Sequence, residues 1–245
     1  MMMLFKALAI AAVISASTIP LAYAEEADKP AGEFSGTLGM VSDYVYRGIT
    51  QNDEHPALQG SFDYAHSSGL YFGVWGSNVD FNDGGTTSLE ADIYGGLKFF
   101  GSGINWDVGG TGIFYPGSHQ GADHYDYFEA RVAANKSLGP VDATAQINYS
   151  PSYFADSGNE AYISLAGTAP ISTSGFNFLA SAGHQWIQKN ANFGVPDYSD
   201  WSAGLSYPWQ GFDFALKYTD TNLGKADCPD DCAARGIFSV SKSFN

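Results

Sequence analysis

Charged residues in this 245-residue chain recur beside apolar ones with a period of two. Glu90 and Asp92 alternate with Leu89, Ala91 and Ile93. Asp142, with Thr144 and Gln146, opposes Val141, Ala143 and Ala145; Asp213 and Lys217 oppose Phe212, Phe214 and Leu216. Successive side chains of a β-strand point to opposite faces. One set of faces therefore collects Asp43, Arg47, Asp63, Glu90, Asp92, Lys98, Asp107, Glu129, Arg131, Asp142, Asp213, Lys217 and Arg235. Both signs are present. Across a water-filled constriction, opposed charges create a transverse field that orders water and sorts small solutes by charge and dipole. In a dry interior the same groups would have to pair, because an unpaired buried charge is expensive. A turn at 100–103 would place Lys98 diagonal to Asp107, and Arg131 stands two residues from Glu129 on one face. Both roles, lining and pairing, stay open for each charge.

Other chemistry is thinner. A lipid-modifying enzyme needs a Ser and a His together on the lipid-facing side. Ser42 and His184 share the outward parity, but nothing local orients either, and His55, His66, His119 and His124 fall in or near connections. His119, Asp123, His124 and Asp126 have no diagnostic metal-ligand spacing. Asp80-Phe81-Asn82-Asp83-Gly84-Gly85 begins like a calcium loop, yet its twelfth position is Ala91 rather than an acid. No catalytic residue, metal ligand or cofactor is expected. Cys228 and Cys232, in Cys-Pro-Asp-Asp-Cys, form a disulfide if the chain folds in an oxidising compartment.

The elements that must carry these residues are strands. Alternating segments fall near 34–47, 57–66, 69–79, 88–99, 103–115, 124–137, 141–149, 160–169, 175–186, 200–207, 211–219 and 235–244. Tight connections rich in Gly, Pro and Ser (66–69, 100–103, 138–140, 169–175, 208–211) alternate with longer polar ones (48–56, 79–88, 116–123, 150–160, 187–199, 220–235). Short turns on one rim and long loops on the other are the mark of an outer-membrane barrel. The fold expected is all-β: a transmembrane antiparallel up-and-down β-barrel of about 12 strands.

The N-terminus reads as a leader. Lys6, the apolar run from Ala7 to Ile14 and the small-x-small site Ala22-Tyr23-Ala24 make residues 1–24 a secretory signal peptide. Residues 25–33 read as a short periplasmic lead-in and 34–245 as the barrel. The formal charge is −15, one unit more negative without Lys6, which rules against a nucleic-acid binder. Tyr44, Tyr46, Phe62, Tyr64, Phe99, Phe114, Tyr149, Trp186, Trp201, Tyr207, Phe212 and Tyr218 stand near strand ends, where interfacial aromatic girdles belong.

Val41-Ser42-Asp43-Tyr44-Val45-Tyr46-Arg47-Gly48-Ile49-Thr50-Gln51, followed by Pro56-Ala57-Leu58-Gln59-Gly60, Asp63-Tyr64-Ala65-His66, Gly69-Leu70-Tyr71 and Trp75-Gly76-Ser77-Asn78, resembles the TorF-type porins. This is a bacterial family also described as a domain of unknown function. The resemblance is strongest from Thr37 to about Lys98. It implies an outer-membrane location in a Gram-negative cell and a channel, and brings no substrate or catalytic residue.

The expectation is a porin-like channel for passive diffusion of small polar solutes or ions. The alternatives are a plugged barrel acting as a structural or adhesive surface protein and, more distantly, a lipid-modifying enzyme. Acids in every long connection (Asp53 and Glu54, Asp80 and Asp83, Asp123 and Asp126, Asp156 and Glu160, Asp197 and Asp200, Asp227, Asp230 and Asp231) predict a mild cation preference. They equally suit divalent ions bridging to lipopolysaccharide. The ending Ser243-Phe244-Asn245 departs by one residue from the aromatic-ended signal read by barrel-insertion machinery. Nothing in the sequence fixes an oligomeric state.

Overall fold

A computed structural model describes residues 31–82, 87–118, 124–229 and 231–245. Twelve of its strands close into one antiparallel barrel: β1 (Gly32–Val41), β4 (Ala57–His66), β5 (Leu70–Asn78), β6 (Leu89–Gly101), β7 (Ile104–Phe114), β8 (Tyr127–Leu138), β9 (Val141–Tyr153), β10 (Gly158–Pro170), β11 (Asn177–Ile187), β12 (Tyr198–Trp209), β13 (Phe212–Thr221) and β14 (Arg235–Phe244). Each pairs with its neighbours in sequence. β1 closes the ring by pairing with β4 and with β14, where Gly36 faces Phe244 and Val41 faces Ser239. The remaining two strands, β2 (Val45–Tyr46) and β3 (Ile49–Thr50), form a separate small hairpin. The signal-peptide assignment, 1–24, lies outside the described residues.

Closure answers a physical demand. In hydrocarbon every backbone N–H and C=O must find a partner inside the protein, and a ring of strands has no open edge. The alternation in the sequence decides which face turns outward. Leu38, Leu58, Phe72, Ile93, Leu165 and Leu216 are all exposed, Leu165 to 65%. Their neighbours Gln59, Asp63, Glu90, Asp107, Glu129 and Ser206 are buried. An exterior this apolar suits acyl chains rather than water.

Strands β4 and β14 have the bounds that alternation predicts. Three departures matter. The first spanning strand ends at Val41 rather than continuing to Arg47, and it begins at Gly32, inside the expected lead-in. The region 150–160 is mostly strand, with only Phe154–Ser157 connecting β9 to β10. Pro151 is tolerated there because β9 has outrun β8, whose pairing stops at Tyr149, and because the β9–β10 register shifts between Gly158 and Glu160. Third, Tyr44 and Tyr46 are not girdle residues. They point into the lumen, and Tyr44 is buried. Cys228 and Cys232 are disulfide-bonded in the β13–β14 connection.

If the exterior contacts hydrocarbon, Leu165→Arg at mid-strand should cost about 2–4 kcal/mol. Urea unfolding in phospholipid vesicles measures it. A loss below about 0.5 kcal/mol, the range of an ordinary surface substitution, would contradict a lipid-facing position.

Candidate functional site

After Val41 the chain stays on the barrel wall for one more residue, with Ser42 N donating to Phe238 O at 2.8 Å and Phe238 N donating to Ser42 Oγ at 3.0 Å. It then turns into the lumen. Val45-Tyr46 pairs with Ile49-Thr50 around a two-residue turn, Arg47-Gly48, whose φ angles are +48° and +82°. Positive φ at both central positions is the geometry of a type I′ hairpin turn. Gly48 is required twice over. Its φ disfavours a side chain, and a Cβ would lie 2.4 Å from Thr221 Cγ2 on the far wall. Arg47 has no such freedom, and a non-glycine residue held there costs about 1–2 kcal/mol.

The guanidinium accounts for that strain. Arg47 Nη2 lies 2.7 Å from Glu129 Oε1 on β8, and Nη1 lies 3.0 Å from Glu160 Oε1 on β10, with all three side chains at most 5% exposed. Its central carbon sits 4.1 Å from the Tyr162 ring and 4.7 Å from that of Tyr46. Burial works against the charge, but Glu129 and the other neighbours outweigh it and keep the guanidinium charged well above its ordinary range. Tyr46 Oη and Asn148 Nδ2 donate to the other oxygen of Glu129, at 3.3 and 3.1 Å. Tyr162 donates to Asp200 at 2.9 Å and lies flat across Gly183, where a Cβ would come within 2.1 Å of its hydroxyl.

The base of the hairpin is tied down as well. Asp43 accepts from Thr50 Oγ1 at 2.5 Å and from Arg235 Nη1 at 2.9 Å, while Arg235 Nη2 reaches Glu54 at 3.1 Å. Tyr44 donates to Glu90 Oε1 at 3.0 Å and meets Trp75 edge-on. Burial, then Glu90, pushes the Tyr44 hydroxyl well above the phenol range, so it remains a donor. Beyond the hairpin, Phe81, Tyr115, Tyr125 and Phe154 from three long connections pack ring against ring, with Tyr125 and Phe154 stacked at 4.5 Å. They join the Tyr44–Trp75 cluster and cover the outer mouth.

Beneath the hairpin lies a cavity of about 270 Å³. Tyr44 to Gly48 form its roof, and its walls reach the short-turn rim at Thr144, Gly167 and Thr168. Of the charged residues expected inside, Arg47, Glu90, Asp92, Glu129, Arg131 and Lys217 line it. The others are elsewhere. Asp63 and Asp107 are buried in the wall, where they take the hydroxyls of Tyr94 and Tyr71; Arg131 bridges Tyr71 and Asp107 at 2.7 and 3.1 Å. Lys98 lies over the Tyr71 ring and directly opposite Asp107, not diagonal to it. Asp142 is exposed at the short-turn rim and accepts from Ser137; Asp213 is half-buried at the same rim. Asp43 belongs to the hairpin's base rather than to a spanning strand, and Arg235, the first residue of β14, reaches it from the wall.

Several assignments are therefore corrected. Arg131 pairs with Asp107, while its expected partner Glu129 takes Arg47. Glu160 and Asp200 are buried wall residues and not loop acids. Ser42 and His184 do not meet: His184 Nδ1 contacts Ser199 Oγ at 2.8 Å. Asp83, Asp123, Asp230 and His119 lie outside the described residues. The residue pair that alternation overlooked is Arg47-Gly48 as a turn; X-Gly between the strand-favouring dipeptides Val45-Tyr46 and Ile49-Thr50 is its visible signal.

A family model described as a bacterial protein of unknown function (Gcw_chp) matches residues 24–244. No curated protein matches the sequence. Among solved structures, the chain is similar to the NanC porin, at 10% identity and a TM-score of 0.55, with 87% of this chain and 100% of that one covered. It is also similar to an outer membrane channel from Pseudomonas putida F1 (11% identity, TM-score 0.48, 89% and 97% covered) and to LpxR from Salmonella typhimurium (9%, 0.45, 86% and 99%).

Breaking a buried ion pair from one side costs about 3–5 kcal/mol. Arg47→Ala should therefore free the hairpin and leave the barrel intact: hydrogen exchange at residues 44–52 rises by orders of magnitude while β6–β13 stay protected. Unchanged protection at 44–52 would mean that the arginine does not hold the hairpin.

Proposed function

This chain belongs to the Gcw_chp family of bacterial proteins of unknown function, and we propose that it acts as an outer-membrane porin-like channel for small polar solutes and ions. The observation that carries this reading is the polar cavity that runs from the Arg47 hairpin to the short-turn rim inside a barrel with an apolar exterior. A folded-in loop that narrows a barrel near one mouth sets a size limit without sealing the lower lumen. The resemblance to TorF-type porins and the NanC-like fold support the same reading. Export by the 1–24 signal and insertion guided by Phe244, one residue short of the usual terminal position, are its cellular counterparts.

Charge favours cations. Half-buried Asp53 and exposed Glu54, Asp80, Asp156 and Asp227 stand at the long-connection rim, and Glu90 and Asp92 line the cavity. Such a field raises the local concentration of cations and repels anions at low salt. The same rim would bind lipopolysaccharide through divalent ions.

The aromatic cover favours a second reading, a sealed barrel with a structural or adhesive role. A lipid-modifying enzyme has less behind it. His184 and Ser199 are in contact on the lipid-facing side, but among the described residues no acid meets the opposite ring nitrogen, Nε2, to orient the ring.

Purified mature chain in planar bilayers tests these readings together. The channel reading expects conductance, a reversal potential displaced toward the cation in a salt gradient, and altered selectivity in Arg47→Ala and Arg131→Ala. A chloride-directed potential would refute cation preference. Silence in both the wild type and Arg47→Ala would leave the sealed barrel. Lipase activity that is lost in Ser199→Ala and His184→Ala would establish the enzyme instead.

A further inference from the structure

Most charges around the lumen are cancelled by neighbours. Arg47 is held by Glu129 and Glu160, and Arg131 by Asp107. Glu90, Asp92, Asp200 and Lys217 also line the cavity and make no ion pair among the described residues, although Asp200 accepts from the Tyr162 hydroxyl. Glu90 is 4% exposed; its Oε1 takes the Tyr44 hydroxyl, but its Oε2 has no hydrogen-bond partner among the described residues. Asp92, two residues along the same face of β6, has an equally unmatched Oδ1. Trp75, directly across from Asp92 in the β5–β6 register, has an unmatched Nε1. On another wall Lys217 of β13 lines the cavity and makes no direct ion pair or hydrogen bond among the described residues, though Asp200 of the adjacent β12 attracts it from beyond contact distance. Around the ring, six strands separate β6 from β13 one way and four the other, so the two groups stand on nearly opposite walls.

An acidic wall with unmatched oxygens thus faces an unmatched ammonium across one small cavity. Each group, left alone, carries a desolvation cost, and that cost is recovered when a ligand supplies the missing counter-charge. A simple cation would satisfy β6 and leave Lys217 alone. A simple anion would do the reverse. Only a solute that carries both charges satisfies the two walls at once, which is how selectivity arises against analogues lacking one end.

We propose that the cavity is a binding site for small zwitterionic solutes, amino acids and ω-amino acids as a class. Their ammonium end lies on Glu90 and Asp92, and their carboxylate end on Lys217. Trp75 and Tyr94 also line the cavity, aromatic rings of the kind that attract an ammonium, and Ser202 and Thr219 are among its hydroxyl-bearing residues. At about 270 Å³ the space lies just below the usual range for ligand pockets, which limits the solute to a few carbons. This assignment rests on the lumen being a solute path.

The test separates the two ideas. Titration calorimetry on the full mature chain in nanodiscs compares a ladder from glycine to 6-aminohexanoate with the n-alkylamine and the alkanoate of each length. The same preparation is assayed for conductance. At least one ladder member should bind about tenfold or more tighter than both of its singly charged analogues. Lys217→Met should lower that member to the affinity of the amine, and Glu90→Gln with Asp92→Asn should lower it to that of the acid. Gel mobility with and without heating confirms that each variant is folded. No binding by any ladder member, or an amine or a neutral polyol that binds as tightly, overturns the assignment even if the barrel conducts. Zwitterion binding without conductance overturns the channel and keeps the site.

Discussion

A single buried guanidinium joins the lumen's contents to its walls. Arg47 is carried in from the β1 side of the ring and meets carboxylates on β8 and β10. A two-stranded hairpin of two residues per strand has almost no stability of its own. What holds it across the lumen is the pairing of its tip, the Asp43–Arg235–Glu54 chain at its base and the Tyr44–Trp75 contact at its side. The strained φ of Arg47 follows from this. Only a tight turn delivers the guanidinium to both carboxylates while Gly48 passes against Thr221 and Asp200 on the far wall. Strain persists where the surroundings over-determine a conformation, and here four strands, β8, β10, β12 and β13, do so.

That hairpin divides the interior into two physical regimes. Outside it, rings from the long connections pack as in a protein core. Inside it, Ser, Thr, Asn and Gln line the wall toward the short-turn rim, a surface that water can solvate without penalty. The exterior is indifferent to this division. It is apolar along both halves because acyl chains impose one requirement over the whole belt.

How legible all this was in the sequence depended on which constraint set each residue's position. Where the membrane did, period-two alternation was sufficient: β4 and β14 have the expected bounds, and Glu90, Glu129 and Lys217 face inward as parity requires. Where the interior did, alternation misled. Asp43 and Arg47 continue the parity of β1 only by coincidence, since the chain leaves the wall after Ser42. Tyr44 and Tyr46 resemble girdle residues because aromatic side chains suit both an interface and a plug. Glu160 and Asp200 were placed in loops because acids beside Gly, Asn and Ser resemble connections, yet β10 and β12 run on past the hydrocarbon to meet the hairpin. The partner of a lumenal charge was least legible. Arg131 selects Asp107 on the next strand over Glu129 on its own, because Glu129 is needed by a residue more than eighty positions away.

The distribution of matched and unmatched charge follows the same division. Every ion in the hairpin's tip and base has a protein counter-ion, as a dry, fixed element requires. Tyr71, Asp107 and Arg131 form a similarly closed set in the wall. Glu90, Asp92 and Lys217 make no ion pair among the described residues and open on the cavity, where water can solvate them or a solute can supply counter-charge. Had rigidity alone shaped this interior, Lys217 would be replaceable by any small polar residue and Asp92 by a serine. Retaining opposite charges on opposite walls, with nothing between them, instead produces a field across the lumen that acts on whatever occupies it.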